Sequence, residues 1–391
     1  MTVDCDVAIV GGGPVGAAVA VGLAQRGLAV QLLDRGQGPT PRVLADGDDY
    51  DLRVYALAPS CIAFLDRLGA WSRIAATRSS PYQGMRVWEN DPQSPLCFDA
   101  RDVRAATLGH IVESGLLASA LWAQLPVSGL RTGVQVVRID AGEHDATLHT
   151  DDGGSLRTRL AVIAEGRDSR LRTQLGIESL GGQYEQTAVV CHIRSEQAHG
   201  GIAWQRFLPT GPLALLPLAD GRASIVWSSG EAAALLALDD ADFCRALGDA
   251  SQHVLGRITA CSRRVQFALT LQHADRYVGN GVALVGDAAH VVHPLAGQGV
   301  NLGFADAEAL TDVVAEARAA GRNFASLRVL KRYERARRAD VIDMLAVTDG
   351  LYRAFRMPLP GLAALRSRGL AVVNAAAPLR RELVRRAIGL R

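Results

Sequence analysis

Apolar and polar positions follow two rhythms along this chain, and the switches between them mark out its parts. Asp6-Val-Ala-Ile-Val10 is a β-branched apolar run that predicts a buried strand. Ala17 to Arg26 is small, apolar and helix-prone and stops at Gly27; Ala29 to Leu33 predicts a second buried strand. The polar, turn-rich passage from Gly36 to Asp51 is too irregular for a core. A helix is expected from Ser60, taken as its N-cap, to Leu68. Met85–Trp88 and Cys97–Ala100 predict paired strands, and Leu108 to Glu113 introduces an amphipathic helix, Ser114 to Leu125. Val134–Ile139 and Ala146–His149 read as strands, with Asp151-Asp-Gly-Gly154 as a hairpin turn, and Leu160–Ala164 as a further buried strand.

Between Gln183 and about Leu271 the pattern changes. Thr187–Ile193, Ala203–Leu208, Leu213–Leu218 and Ala223–Ser228 follow one another with only turns between, which predicts a separate, largely antiparallel sheet. Short helices are expected at Ala232–Leu238 and Asp242–Leu247. The apolar strand pattern returns at Val282–Val285, and a helix begins after Asn301 and runs past Leu310. A long helical tail starts at Arg328, and no tandem similarity is present.

Composition narrows the class. The chain has 391 residues, 49% hydrophobic and 21% charged, as expected of a globular protein with a large core. No apolar run reaches the roughly 18 residues of a spanning helix. The acidic start, Met1 to Asp6, enters a strand directly, so no signal or transit peptide is expected. Six cysteines without a CxxC pair suggest reduced thiols and a cytoplasmic setting. A net charge of +2 argues against nucleic acid as a partner. Lys331 is the single lysine, and from Leu351 onward nine arginines face one acid, Glu382. Two readings stay open there: a solvated helix face, or a surface for anionic lipid or a partner protein.

Candidate chemistry sits at two loops. Gly11-x-Gly13-Pro14-Val15-Gly16 follows a strand and opens a helix, and Asp34 ends the next strand, completing a βαβ dinucleotide fingerprint. Gly11 permits the tight turn, Gly13 lets backbone approach a diphosphate, Gly16 lets helix and strand pack, and Asp34 suits ribose hydroxyls. The second loop follows Val285: Gly286-Asp287, then Pro294, Gly297-Gln298-Gly299, Val300 and Asn301. A tight connection would explain its glycines but neither Asp287 at a strand tip nor the glycines flanking Gln298, so it is read as a ligand loop. Arg53 is either a surface arginine or a contact reaching back to the first loop. Glu113 is either a helix-start acid or a cofactor contact. His290 and His293 are spaced HxxH without a third donor cluster, so no metal is expected. Ser60 and Ser169 lack a nucleophile elbow and read as caps or turn residues.

Taken together these residues resemble the class A flavoprotein monooxygenases, the para-hydroxybenzoate-hydroxylase fold. Three landmarks occur in order: Gly11-x-Gly13-x-x-Gly16, a DG-type motif at Glu165-Gly166, and a GD-type motif at Gly286-Asp287. The run Gly286 to Gly303, Gln186-Thr-Ala188, Arg206 to Pro217 and Tyr333-Glu-Arg-x-Arg-Arg338 resemble the ubiquinone-biosynthesis hydroxylase branch. Two departures stand out: Glu165 replaces the usual Asp of the DG motif, and Ser114 follows Glu113 where Asn is common.

The resemblance implies an α/β Rossmann-type FAD domain interleaved with an α+β, antiparallel-sheet substrate domain, and C-terminal helices. Its implied boundaries are residues 1–75, 101–178 and 270–345 for the FAD domain, 76–100 and 179–269 for the substrate domain, and 346–391 for a C-terminal helical region. FAD would be held by Gly11, Gly13, Pro14, Val15, Gly16, Asp34, Arg53, Glu113, Glu165, Gly286, Asp287, Pro294, Gly297, Gln298, Gly299, Val300 and Asn301. NAD(P)H would dock transiently as reductant, and a flavin C4a-hydroperoxide would hydroxylate an aromatic ring. No catalytic side chain is assigned; Arg53, Pro294, Gln298, Phe207 and Trp227 are pocket candidates. The implied substrate is a hydrophobic phenol, a polyprenylphenol of ubiquinone biosynthesis, with contact to a membrane face or a biosynthetic complex through the arginine-rich C-terminal region. A soluble aromatic or pigment precursor as substrate, or a non-catalytic FAD-binding scaffold, are the competing readings.

Overall fold

The computed structural model describes residues 3–39, 50–292, 299–356, 374 and 376–387. Its first strand, Cys5–Val10, pairs in parallel with Val30–Asp34 on one side and Ser155–Ile163 on the other. Val282–Leu284 and Leu130–Thr132 extend the parallel sheet at its two flanks. Such strands are covered on both faces, which is why their sequences are apolar runs rather than alternations: Val7, Ala8, Ile9, Leu32, Leu33, Val162 and Ile163 are fully buried. The helices Pro14–Gln25 and Gly299–Ala319 pack on each other over this sheet.

Parallel pairing has one consequence that matters for function. Val10, Asp34, Ile163 and Leu284 all end at the same edge of the sheet. The Gly11–Gly16 loop, Asp34, Glu165-Gly166 and Gly286-Asp287 therefore emerge side by side, although about 270 residues separate the first loop from the last. That edge, outside the carboxyl ends of the strands, is where doubly wound sheets bind ligands.

The second sheet has nine strands. Ser179–Ser195, Ala223–Ser229, Gly211–Pro217 and Ile202–Leu208 form its antiparallel centre, matching the four runs predicted. Ser179–Ser195 starts eight residues earlier than expected, because Ser179–Gln183 is an exposed ribbon against Thr270–Ala274 and shows no apolar alternation. Segment 76–100 divides. Gly84–Trp88 joins the second sheet by parallel pairing with Ile202–Leu208, whereas Ser80–Tyr82 pairs with Gly109–Glu113 in a separate three-stranded sheet. The far edge of the second sheet is hydrogen-bonded to the ligand loop, since Val265–Ala274 pairs with His290-Val291.

One local expectation is corrected. Ser60 is not the cap of its helix: Ala58 holds the N-cap and Pro59 the first helical position, where a missing N–H costs nothing. Glu113 closes the strand Gly109–Glu113 and stands at the N-cap of the helix Ser114–Trp122 without capping it.

The C-terminal helix Ala377–Ala387 lies against the start of the second sheet. Val384 is buried with Ala100 and Leu108, Arg380 pairs with Asp102 at 3.1 Å, and the Cys97 N–H donates to Asn374 Oδ1 at 3.2 Å. Arg380 is thus an internal tie; Arg381 and Arg385 are solvent-exposed. Among the described residues no helix is long and apolar enough to cross a membrane.

Candidate functional site: a split cofactor cradle

The first loop is built around glycines that cannot be replaced. Gly11 has φ +108°, and a Cβ there would lie 2.4 Å from the Ala164 carbonyl oxygen; one at Gly16 would lie 2.0 Å from the Gly11 oxygen. At Gly13 a Cβ would meet nothing within 4 Å among the described residues. Gly13 is the N-cap of Pro14–Gln25 and offers no side chain, which leaves the helix's first donors facing this space. Asp34 flanks it: its carboxylate accepts from Gly12 N at 2.6 Å and from Gly36 N at 2.7 Å.

The second loop is fastened to the first through Val15. A Cβ at Gly303 would be 2.5 Å from Val15 Cγ2, and one at Gly286 would be 3.3 Å from the same side chain. Gly286 itself has φ +61° and donates its N–H to Asp306 Oδ2 at 3.0 Å. The same carboxylate, fully buried in Gly299–Ala319, is 2.6 Å from His290 Nε2 and accepts from Arg337 Nε at 2.8 Å. Burial would raise the Asp306 pKa, but His290 and Arg337 outweigh it and hold it below its ordinary value. Tyr333 donates to the Leu284 carbonyl at 2.7 Å, Glu334 accepts from Tyr277 N at 2.9 Å, and Arg338 donates to the Asp275 carbonyl at 2.7 Å. The Tyr333–Arg338 motif is therefore the clamp that fixes the strand and loop carrying Asp287. His290, weighed in sequence as half of a metal pair, is a member of this clamp.

Asp287 differs from Asp306. Burial raises its pKa, opposed by the positive charges of Arg53, His290 and Arg167, and no protein group donates to its carboxylate among the described residues. Arg53, which precedes the strand Val54–Leu57 of the three-stranded sheet, thus supplies one of the charges that favour the ionised strand-tip acid. Beside it, Gly166 has φ +85°, and among the described residues a Cβ at Gly166 or at Gly299 would meet nothing within 4 Å. Glu165 accepts from Ser169 Oγ at 2.7 Å, and Ser169 in turn caps the helix Arg170–Gln174. Arg172 is buried and donates to the carbonyls of Arg167 and Ala288 at 3.2 and 3.1 Å, joining the second and third landmarks.

Other predicted residues are placed less directly. Glu113 is 1% exposed and makes two 2.8 Å bonds with Arg78 while accepting from Asp51 N at 2.7 Å, so its carboxylate organises the surrounding loops. Asn301 accepts from Ala58 N at 2.9 Å and donates to Ala56 O at 2.8 Å, tying the start of its helix to Val54–Leu57; Val300 is buried beside it. Phe207 packs with Val87 and Leu96 on the sheet face opposite Trp204, the face on which the C-terminal helix also lies. The pocket role expected of Trp227 is corrected: strand alternation sends it to the opposite face, where it packs on Phe243 of the helix Asp240–Ala250. Trp204 lies on that face too. Pro294, Gly297, Gln298 and His293 lie outside the described residues.

Sequence reasoning missed Asp306, Arg337 as its partner, Arg172 and Trp122, whose indole lies over the first loop. Asp306 was detectable in principle as an acid on the buried face of an apolar helix.

Dinucleotide-type turn, carboxylate, two open glycine positions and an undonated strand-tip acid share one edge, and that set fits a long, phosphate-bearing dinucleotide cofactor. Fold and site define a flavoprotein of the class A monooxygenase architecture. Residues 4–348 match the family described as FAD binding domain. The chain is 38% identical over 391 residues to the 3-demethoxyubiquinol 3-hydroxylase of Escherichia coli, covering 98% of each. It is also 38% identical over 394 residues to the ubiquinone hydroxylase UbiL of Rhodospirillum rubrum, covering 98% of this chain and 89% of that one. Among solved structures, p-nitrophenol 4-monooxygenase of Pseudomonas putida superposes with a TM-score of 0.78 at 20% identity, over 97% of this chain and 96% of that one. The chain belongs to the FAD-binding family that includes these ubiquinone-biosynthesis hydroxylases, and it is an FAD-dependent monooxygenase.

Proposed function

We propose that this enzyme hydroxylates the aromatic ring of a polyprenylated phenol on the route to ubiquinone, with NAD(P)H as transient reductant. The observation that carries the reading is full-length similarity to two ubiquinone hydroxylases, with the cofactor-edge motifs in place. Bound FAD supplies the redox and oxygen chemistry. The chain's own residues do the rest. The Gly11–Gly16 loop and the helix after it receive the diphosphate, Asp34 the adenosine ribose, and Asp287 the hydroxyls of the flavin's sugar chain. The second sheet, hydrogen-bonded to the loop after Asp287, supplies an apolar wall that keeps water from the reacting ring. Phe207 belongs to that wall and Trp227 does not.

Deleting the gene and profiling quinones by mass spectrometry tests the substrate. Accumulation of a prenylphenol lacking one ring hydroxyl is expected; an unchanged quinone profile would contradict the proposal.

A membrane-dissolved substrate also calls for approach to a lipid surface, and the exposed Arg381 and Arg385 support the C-terminal helix as the contact. Changing both to serine is expected to weaken binding to anionic vesicles. Equal binding of both proteins would remove this role.

A further inference from the structure

Trp122 is the last residue of the helix Ser114–Trp122, and its indole reaches across to the first cofactor loop. Its Nε1–H donates to the Gly12 carbonyl at 2.7 Å. The ring fills the space over two glycines: a Cβ at Gly12 would lie 2.3 Å from Trp122 Cζ2, and one at Gly38 would lie 2.7 Å from Cζ3. On its other side the Gly12 peptide is held as well, because the Gly12 N–H donates to Asp34 Oδ2 at 2.6 Å. Both polar groups of Gly12 are therefore fixed, one by Trp122 and one by Asp34.

The geometry of the peptide unit transmits this to Gly13. In a trans peptide the carbonyl of one residue and the N–H of the next point in opposite directions. Drawing the Gly12 carbonyl toward the indole turns the Gly13 N–H away from it. Gly13 is exposed, and among the described residues nothing lies within 4 Å of a Cβ built on it. The following residue, Pro14, has no N–H, so the Gly13 amide is the donor that precedes Val15 at the helix start.

We propose that Trp122 is a positioning residue for the adenosine-diphosphate half of FAD, holding the Gly12–Gly13 peptide so that the Gly13 N–H faces the diphosphate. The proposal rests on the FAD reading above. It assigns Trp122 no contact with the reacting atoms. Its effect is on preorganisation: without the indole hydrogen bond the peptide can rotate, and ordering it on binding reduces affinity.

Trp122→Phe keeps a ring over Gly12 and Gly38 but removes the donor. Full-length apoprotein would be titrated with FAD, ADP and FMN, and its thermal midpoint recorded. Loss of one neutral hydrogen bond corresponds to about a two- to tenfold weakening. FAD and ADP affinities are expected to fall together by that factor, while FMN, which lacks the adenosine half, is unaffected. Trp122→Leu provides a second variant that removes the ring as well as the donor and leaves the glycine loop and Asp34 unaltered, and it should show the same selectivity. Unchanged ADP affinity in both variants would overturn the proposal, and so would an equal loss for ADP and FMN, which marks general damage. If the unaltered protein binds no FAD, it is the cofactor reading that fails.

Discussion

Replacing Asp306 by alanine is expected to destabilise the protein by about 3–5 kcal/mol, because removing one member of a buried ion pair leaves its partner charged and uncompensated. Asp306 is fully buried, and three groups depend on it: the Gly286 N–H, His290 and the 5%-exposed Arg337. Arg337 also reaches Asp340 at 2.7 Å, which places the cost toward the lower end of that range. Urea denaturation of the variant and the unaltered protein measures it; a difference below about 1 kcal/mol, the scale of an ordinary surface change, would contradict the clamp. The pH dependence has a definite sign. The folded-state pKa of Asp306 lies below its ordinary 3.8, so its stabilisation is fully present above that value and is lost as pH falls through the folded pKa. The alanine variant should lack this acid-side component.

Asp287→Asn is expected to act the other way on the apoprotein. Burial raises the pKa of Asp287, so the ionised side chain destabilises the fold at pH values above its ordinary 3.8, increasingly until the folded pKa is passed. The amide removes that penalty, and the variant's thermal midpoint without FAD at neutral pH should equal or exceed that of the unaltered protein. Affinity for FAD should fall by about ten- to a hundredfold, the scale of a charge-assisted hydrogen bond to a hydroxyl. An apoprotein weakened by the change, with unaltered FAD affinity, would show that Asp287 serves the fold rather than the cofactor.

These two aspartates show how far sequence reading reaches. Asp287 could be singled out because it ends an apolar strand and precedes a glycine-rich loop, a local pattern. Asp306 sits in a helix among small apolar residues, and its partners His290 and Arg337 come from a loop and from another helix. Only packing brings the three together. The same distinction explains Trp227 and Phe207. Both lie in strands read correctly, but which sheet face the helices cover is a tertiary outcome that alternation alone cannot assign. Trp122 was invisible for a similar reason, since nothing near it in sequence reveals that its indole ends over Gly12. The βαβ fingerprint was readable because its parts lie within about 30 residues of one another. The ribbon at Ser179–Gln183 was not, because a strand with both faces exposed leaves no apolar rhythm.

Aromatic hydroxylation at an FAD held on this sheet edge has a direct isotopic signature. Purified enzyme would be incubated with FAD, NAD(P)H, a prenylphenol and oxygen-18 gas, and the product analysed by mass spectrometry. One labelled oxygen atom on the ring is expected for each NAD(P)H consumed in coupled turnover, and no product without FAD. NAD(P)H oxidation with no label entering any phenol would contradict it.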